Sequence, residues 1–298
     1  YPLGTTTVTW TVTDGSGNNT TCSMNITVTD NENPTIACPA DLSVNTDVGS
    51  CDAQTTIASP TTSDNCSVAS VVNDYNGTND ASDVYPLGTT TVTWTTTDAS
   101  GNTSSCPMEV TVSDIELPTI SCPADVSVNT DVGSCDAQTT IASPTTSDNC
   151  SVASVVNDYN GTSDASDVYP LGTTTVTWTV TDGSGNTSTC SLNVTVSDIE
   201  SPSIVCAEDI VQDSDLSSCG AQVSITAPIV SDNCTVASVI NDYNGTADAS
   251  DVYSVGTTTV TWTATDGAGN TTTCFQDITI NDVEAPIINC PENIVLSE

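Results

Sequence analysis

An 84-residue period governs this chain. "YPLGTTTVTW" opens it at Tyr1, returns at 85–94 and 169–178, and recurs as "YSVGTTTVTW" at 253–262. The cysteines keep the same step on four tracks: Cys22, Cys106, Cys190 and Cys274; Cys38, Cys122, Cys206 and Cys290; Cys51, Cys135 and Cys219; Cys66, Cys150 and Cys234. A period of that length is the size of a small domain, so the chain reads as a tandem array in which neighbours are copies. Complete repeats run over 30–113, 114–197 and 198–281. Residues 1–29 read as the C-terminal part of a preceding repeat, and 282–298 as the N-terminal start of a following one. The expectation is an extended rod of three complete domains with two partial ends. The first two repeats are nearly identical over 38–106 and 122–190, whereas the third has drifted and carries Ser217 where the others have Gly49 and Gly133.

Inside a repeat the periodicity is two. In "GTTTVTWTVTD" Val8, Trp10 and Val12 alternate with threonines, and in "CSMNITVTD" Cys22, Met24, Ile26 and Val28 share one face. Alternating β-branched residues make half-buried strands, and the intervening "DGSGN" supplies the Gly and Asn of a hairpin turn. Further strands are expected at "DLSVNT", "AQTTIAS" and "SVASVVND", and no stretch has helical periodicity. Several short strands with turns between them point to an all-β fold, an antiparallel sandwich of immunoglobulin or fibronectin III type. The single Trp of each repeat reads as core.

What is absent bounds the chemistry. The chain has 38 Asp and Glu and no Lys, Arg or His. Without His or Lys there is no Ser-His-Asp or Cys-His relay, no Schiff base and no P-loop. We therefore expect no enzyme and no catalytic residue. Without cationic side chains, phosphates cannot be neutralised, so nucleic acid and anionic membrane surfaces are excluded as partners. No apolar run reaches the length of a membrane span. Four cysteines per repeat without His argue for disulfides, which places the protein extracellularly or on a cell surface. A net charge of −38 repels itself, and the remedy must come from solvent cations.

"PTIACPADLSVNTDVGSC", "SDNCS" and "YPLGTTTVTWTTTDASGNTSSC" together closely resemble the hyalin repeat (HYR) domain. The pattern is a Cys-Pro near the start, Gly-x-Cys, Asp-Asn-Cys, a Gly-Thr-Thr-Thr-Val strand, and an Asp-x-x-Gly-Asn turn before the last Cys. The resemblance covers every repeat. It implies an immunoglobulin-like extracellular module associated with adhesion and matrix assembly, without enzyme activity. It also implies disulfides Cys38–Cys106 and Cys51–Cys66, with copies Cys122–Cys190, Cys135–Cys150, Cys206–Cys274 and Cys219–Cys234, all within repeats. Cys22 and Cys290 are then left without partners. The first pairing joins the starts of the first and last strands, and a loop of that length stabilises by roughly 4 kcal/mol in the chain-entropy model. The second is harder: a straight strand over 52–60 would hold Cys51 and Cys66 about 30 Å apart unless "SPTTSDN" doubles back.

Metal candidates lie at the junctions, where Asp-x-Glu-x-Pro recurs as Asp30/Glu32, Asp114/Glu116, Asp198/Glu200 and Asp282/Glu284. Loops of the following repeat add Asp64 and Asn65, or Asp98 and Asn102, so two domains offer oxygens to one calcium ion; hard divalent cations prefer such donors. "NDYNGTNDASD" at 73–83 imitates an EF-hand loop, but its first position would be Val72, which cannot ligate, so it reads as an Asx-rich turn. Sequons at Asn76, Asn160 and Asn244 arise readily in a Thr-rich chain. The function expected is therefore structural: a segment of a secreted or cell-surface filament, stalk or adhesin. Its partners are further repeats of the same chain, with lateral or homo-oligomeric assembly into a fibre. The alternative is a carbohydrate- or protein-binding adhesion module, for which Tyr75, Tyr85 and their copies are the aromatic candidates.

Overall fold

The computed structural model describes residues 1–292 and 294–295; the remaining positions of the 282–298 segment lie outside the described residues. The chain packs as two compact units. One is Tyr1–Ser121 with Thr145–Val155 and Thr179–Thr189, and the other is Cys122–Pro144 with Val156–Trp178 and Cys190–Glu298. Every assigned element among the described residues is a strand.

The first unit opens with a hairpin, β1 (Gly4–Thr13) and β2 (Asn19–Val28), in antiparallel register with Trp10 opposite Cys22. No second sheet covers it among the described residues, and Trp10 is 49% exposed. A complete repeat follows: β3 (Thr35–Ala37), β4 (Leu42–Asn45), β5 (Asp52–Gln54), β6 (Thr61–Ser63), β7 (Val68–Asn73), β8 (Val84–Pro86), β9 (Gly88–Asp98) and β10 (Thr103–Ser113). One sheet has the order β4-β10-β9-β7. All its pairs are antiparallel except β4 with β10, which run parallel from Leu42 opposite Val110. The pairs β3–β6 and β5–β8 complete the sandwich. The arrangement is the immunoglobulin-type sandwich expected, with one parallel edge.

The period-two pattern decides what is buried. Val92, Trp94, Thr96 and Asp98 of β9 point inward, as do Met108, Val110 and Val112 of β10. They pack with Ala53, Ile57, Ala81 and Tyr85, and the Cys38–Cys106 bridge lies against them. On the outer face threonines pair across the strands, as in Thr89 with Thr111 at 3.1 Å. Short strands β3, β6 and β8 were not expected. "AQTTIAS" is a strand only to Gln54: the Thr55 N–H still reaches the Asp83 carbonyl, but the Ile57 N–H donates to the Ser82 hydroxyl instead of to a ladder carbonyl.

The second unit contains the third repeat in the same order. Ile210–Asp213 runs parallel to Thr271–Asn281, and the core is built on Ala221, Val223, Tyr253, Trp262, Ile278 and Ile280. In the middle repeat, Val126–Asn129 likewise pairs in parallel with 194–197, and Thr119–Ser121 pairs with Thr145–Ser147.

Candidate metal centre

The cysteine pattern resolves first. Cys38–Cys106, Cys122–Cys190 and Cys206–Cys274 form within repeats. The expected Cys51–Cys66, Cys135–Cys150 and Cys219–Cys234 bridges do not. Cys51 bonds Cys150 and Cys135 bonds Cys234, each with Cα atoms 4.7 Å apart, so sulfur joins one repeat to the next. The physical reason is that the chain after β5 does not double back. It continues into β6, which pairs with β3, and delivers Cys66 beside the preceding linker, where Asn65 Nδ2 donates to Asp30. Cys51 meanwhile closes the 47–51 turn, whose Gly49 N–H donates to Glu116 of the following linker at 2.8 Å. The two cysteines of a repeat thus serve opposite junctions. Cys22, Cys66, Cys219 and Cys290 are unpaired and exposed.

Beside each inter-repeat bridge three carboxylates converge. Asp114, in the linker after β10, is 6% exposed. One carboxylate oxygen each from Asp114, Asp148 and Asp182 lies within 4.8 Å of the others, and Asp198, Asp232 and Asp266 repeat the group. Local turns set each side chain. Asp114 Oδ1 accepts the Glu116 N–H at 3.1 Å and Asn149 Nδ2 at 3.3 Å. Asp148 Oδ2 accepts the Cys150 and Ser151 N–H groups at 3.0 Å. Asp182 opens the Asp-x-x-Gly-Asn turn, its Oδ1 accepting from the Ser184 and Asn186 N–H groups and its Oδ2 from Asn186 Nδ2. Burial works against the charged form of Asp182, but the Asn186 and Ser184 hydrogen bonds outweigh it and hold its pKa below the ordinary range. Asn186 Nδ2 also reaches the Asp114 carbonyl at 3.2 Å and Asn149 Nδ2 the Ser50 carbonyl at 2.7 Å, tying both repeats to the linker.

These turns leave oxygens over. Asp114 Oδ2, Asp148 Oδ1 and Asn149 Oδ1 are buried without a hydrogen-bond partner, as are Asp198 Oδ2, Asp232 Oδ1 and Asn233 Oδ1. Buried polar atoms are nearly always satisfied, and converging bare carboxylates in a chain with no cationic side chain are a donor set for a hard cation.

Of the junction residues named from the sequence, Asp30, Asp114 and Asp198 lie in such groups. Their glutamates do not: Glu116, Glu200 and Glu284 accept the N–H groups of Gly49, Gly133 and Ser217 at 2.8–2.9 Å. Glu32 and Asp282 are exposed and outside any group. At the first junction the group is Asp30, Asp64 and the Cys66 sulfur. The 73–83 loop is an Asx turn, with Asn73 Oδ1 accepting from Tyr75 and Asn76. Asn76 Nδ2, the sequon atom, donates to the Asp80 carbonyl. Of the tyrosines named as aromatic candidates, Tyr85, Tyr169 and Tyr253 are buried, whereas Tyr159 and Tyr243, the copies of Tyr75, are 36% and 39% exposed. Tyr85 is fully buried, stacks on Tyr75 at 4.2 Å, and donates to the Ala81 carbonyl. Desolvation, followed by Tyr75, pushes its pKa up to about 12.

The sandwiches, their internal bridges and the sulfur links between repeats define a disulfide-reinforced, extracellular array of β-modules. The family model for the HYR domain matches residues 29–112, 113–196 and 197–280, and the chain belongs to that family. It is 33% identical over 309 residues to hyalin of Strongylocentrotus purpuratus, covering 99% of this chain and 25% of that protein. To hyalin of Lytechinus variegatus it is 32% identical over 307 residues, covering 99% and 56%. The chain therefore spans a quarter to about half the length of these relatives. Among solved structures it is similar to the protocadherin gammaB4 extracellular domain, with a TM-score of 0.36 and 16% identity over 93% of this chain and 55% of that one. Drosophila N-cadherin EC1-4 gives 0.32 and 11% over 94% and 84%.

Proposed function

We propose that this chain is a structural segment of a secreted or cell-surface filament, stalk or adhesin, its HYR repeats fastened in series by sulfur bridges and stiffened at each junction by calcium. It is not an enzyme, and its partners are further repeats of the same chain and neighbouring copies in a fibre. The domains are the repeats 30–113, 114–197 and 198–281. The observation that carries the reading is the junction, where an inter-repeat disulfide stands beside three converging carboxylates with bare buried oxygens. Near-identical modules extend reach rather than diversify sites, and modules joined by a short linker hinge freely unless something fixes them.

Asp114, Asp148, Asp182 and the Asn149 carbonyl oxygen would hold the ion, with the same set at Asp198, Asp232, Asp266 and Asn233. Ca²⁺ neutralises clustered carboxylates and accepts six to eight oxygens in flexible geometry, water completing the shell. Within the chain itself, Asn149 and Asn186 orient the donors by hydrogen bonds to Ser50 and Asp114. Calorimetric titration of the oxidised chain with CaCl2 tests the reading, alongside X-ray scattering with and without chelator. Binding that loses one of its sites in Asp114→Asn/Asp148→Asn, and a more flexible chain after chelation with each repeat still folded, support it. Absence of calcium heat, together with unchanged scattering, overturns it and leaves the carboxylates held by their turn hydrogen bonds alone.

A further inference from the structure

We propose that the junction cation and the inter-repeat disulfide are thermodynamically coupled: cation held by Asp114, Asp148 and Asp182 stabilises the Cys51–Cys150 bridge, and the bridge tightens the cation, with the same relation between Asp198, Asp232, Asp266 and Cys135–Cys234. The inference rests on the calcium reading above and adds to it a redox dependence.

The argument starts from shared atoms. Asp148 divides its carboxylate between the two functions: Oδ2 accepts the backbone N–H of Cys150, while Oδ1 is bare among the converging oxygens. Asn149, between Asp148 and Cys150, does the same with its amide. Its Nδ2 holds the carbonyl of Ser50, the neighbour of Cys51, at 2.7 Å and Asp114 Oδ1 at 3.3 Å, while its Oδ1 is bare. The loop carrying one sulfur therefore also carries two of the cation's donors, and the same loop grips the residue beside the other sulfur. Asp114 itself is 94% buried, counting from its 6% exposure, with Oδ2 unpartnered, so the group is a cradle and not a surface cluster.

In the bridged structure one carboxylate oxygen each of Asp114, Asp148 and Asp182 lies within 4.8 Å of the others. Without a cation, like charges at that range favour moving the Asp148 loop away, and Cys150 moves with it. A cation removes that penalty in the bridged state more than in the open one, and linkage makes the effect reciprocal.

The test is a redox equilibrium on the full chain. Dithiothreitol reduces the bridge to two cysteine thiols and becomes its own cyclic disulfide, so two electrons and two protons pass from reagent to protein. The chain is equilibrated in mixtures of reduced and oxidised dithiothreitol with or without CaCl2, NaCl matching the ionic strength, then alkylated and mapped by mass spectrometry. Calcium is expected to shift Cys51–Cys150 and Cys135–Cys234 toward the disulfide by about fivefold or more, the usual range of site-to-site coupling. Cys38–Cys106, packed in the core of its own repeat, is the internal control and stays unshifted. Calorimetry on Cys51→Ser/Cys150→Ser should show calcium affinity at that junction reduced by the same factor. If this variant does not fold, the redox equilibrium of the unaltered chain decides alone. Calcium heat with no redox shift overturns the coupling and leaves the calcium reading standing; no calcium heat on the oxidised chain overturns both.

Discussion

Ser217 stands where Gly49 and Gly133 stand in the other repeats, and it keeps their backbone, at φ 64° against 74° and 73°. A left-handed conformation costs a non-glycine residue about 1–2 kcal/mol, while glycine loses roughly 0.4–1 kcal/mol more in unfolded-chain entropy. The first effect wins, so Ser217→Gly should stabilise the third repeat by up to about 1 kcal/mol, read from denaturant midpoints. The turn survives the substitution because the Ser217 N–H is still held by Glu284 at 2.9 Å. Asp98 supplies a second prediction at this scale. Burial disfavours its charge, but hydrogen bonds from Asn102, Ser100 and Gly101 prevail, and its pKa falls below the ordinary 3.8. A depressed carboxylate stabilises the fold above its ordinary pKa, and that stability is lost as pH falls through the lowered folded value. Asn102→Ala should therefore move acid unfolding of the repeat to higher pH, followed by Trp fluorescence. Much at this scale was legible. The Asp-x-x-Gly-Asn turn is local chemistry, and the buried tryptophans follow from alternation. The bare oxygens were not, because satisfaction depends on neighbours that sequence does not place.

Among elements, the long strands were readable and the short ones were not. β9 and β10 alternate over eleven residues each, enough for period two to stand out. Three-residue strands such as β3, β6 and β8 exist only because a partner lies alongside them. That failure propagated to the cysteines. With β6 unseen, "SPTTSDN" was free to double back, and the inter-repeat bridge stayed hidden behind an intra-repeat one. Besides its Asx turns, the 73–86 segment is held by two tyrosines, Tyr75 donating to the Val84 carbonyl and Tyr85 to the Ala81 carbonyl. Tyr85→Phe keeps the stacked ring and strands a buried carbonyl. It should destabilise that repeat by about 1–2 kcal/mol and open the 73–83 loop, seen as faster amide exchange there than in β9.

For the molecule as a whole, the decisive property is covalent connectivity, and the composition offers an unusually clean way to read it. With no Lys or Arg, trypsin finds no site in the chain, so one introduced arginine creates a single cut. Ile115 is 59% exposed in the linker between Asp114 and Glu116, and Ile115→Arg places the cut between the first two complete repeats. Cys38–Cys106 then lies entirely on one fragment and Cys122–Cys190 on the other. The bond that crosses the cut is Cys51–Cys150. After the exposed thiols are blocked with iodoacetamide to prevent exchange, trypsin should nick the backbone without separating the halves. The product should migrate as one covalent species until reductant is added, and then as fragments 1–115 and 116–298. Bridges confined within repeats, as Cys51–Cys66 would be, leave nothing across the cut, and the fragments would separate without reductant. The backbone and the sulfur bridge are redundant connections: a broken linker does not separate the two repeats, because Cys51–Cys150 carries the connection past it.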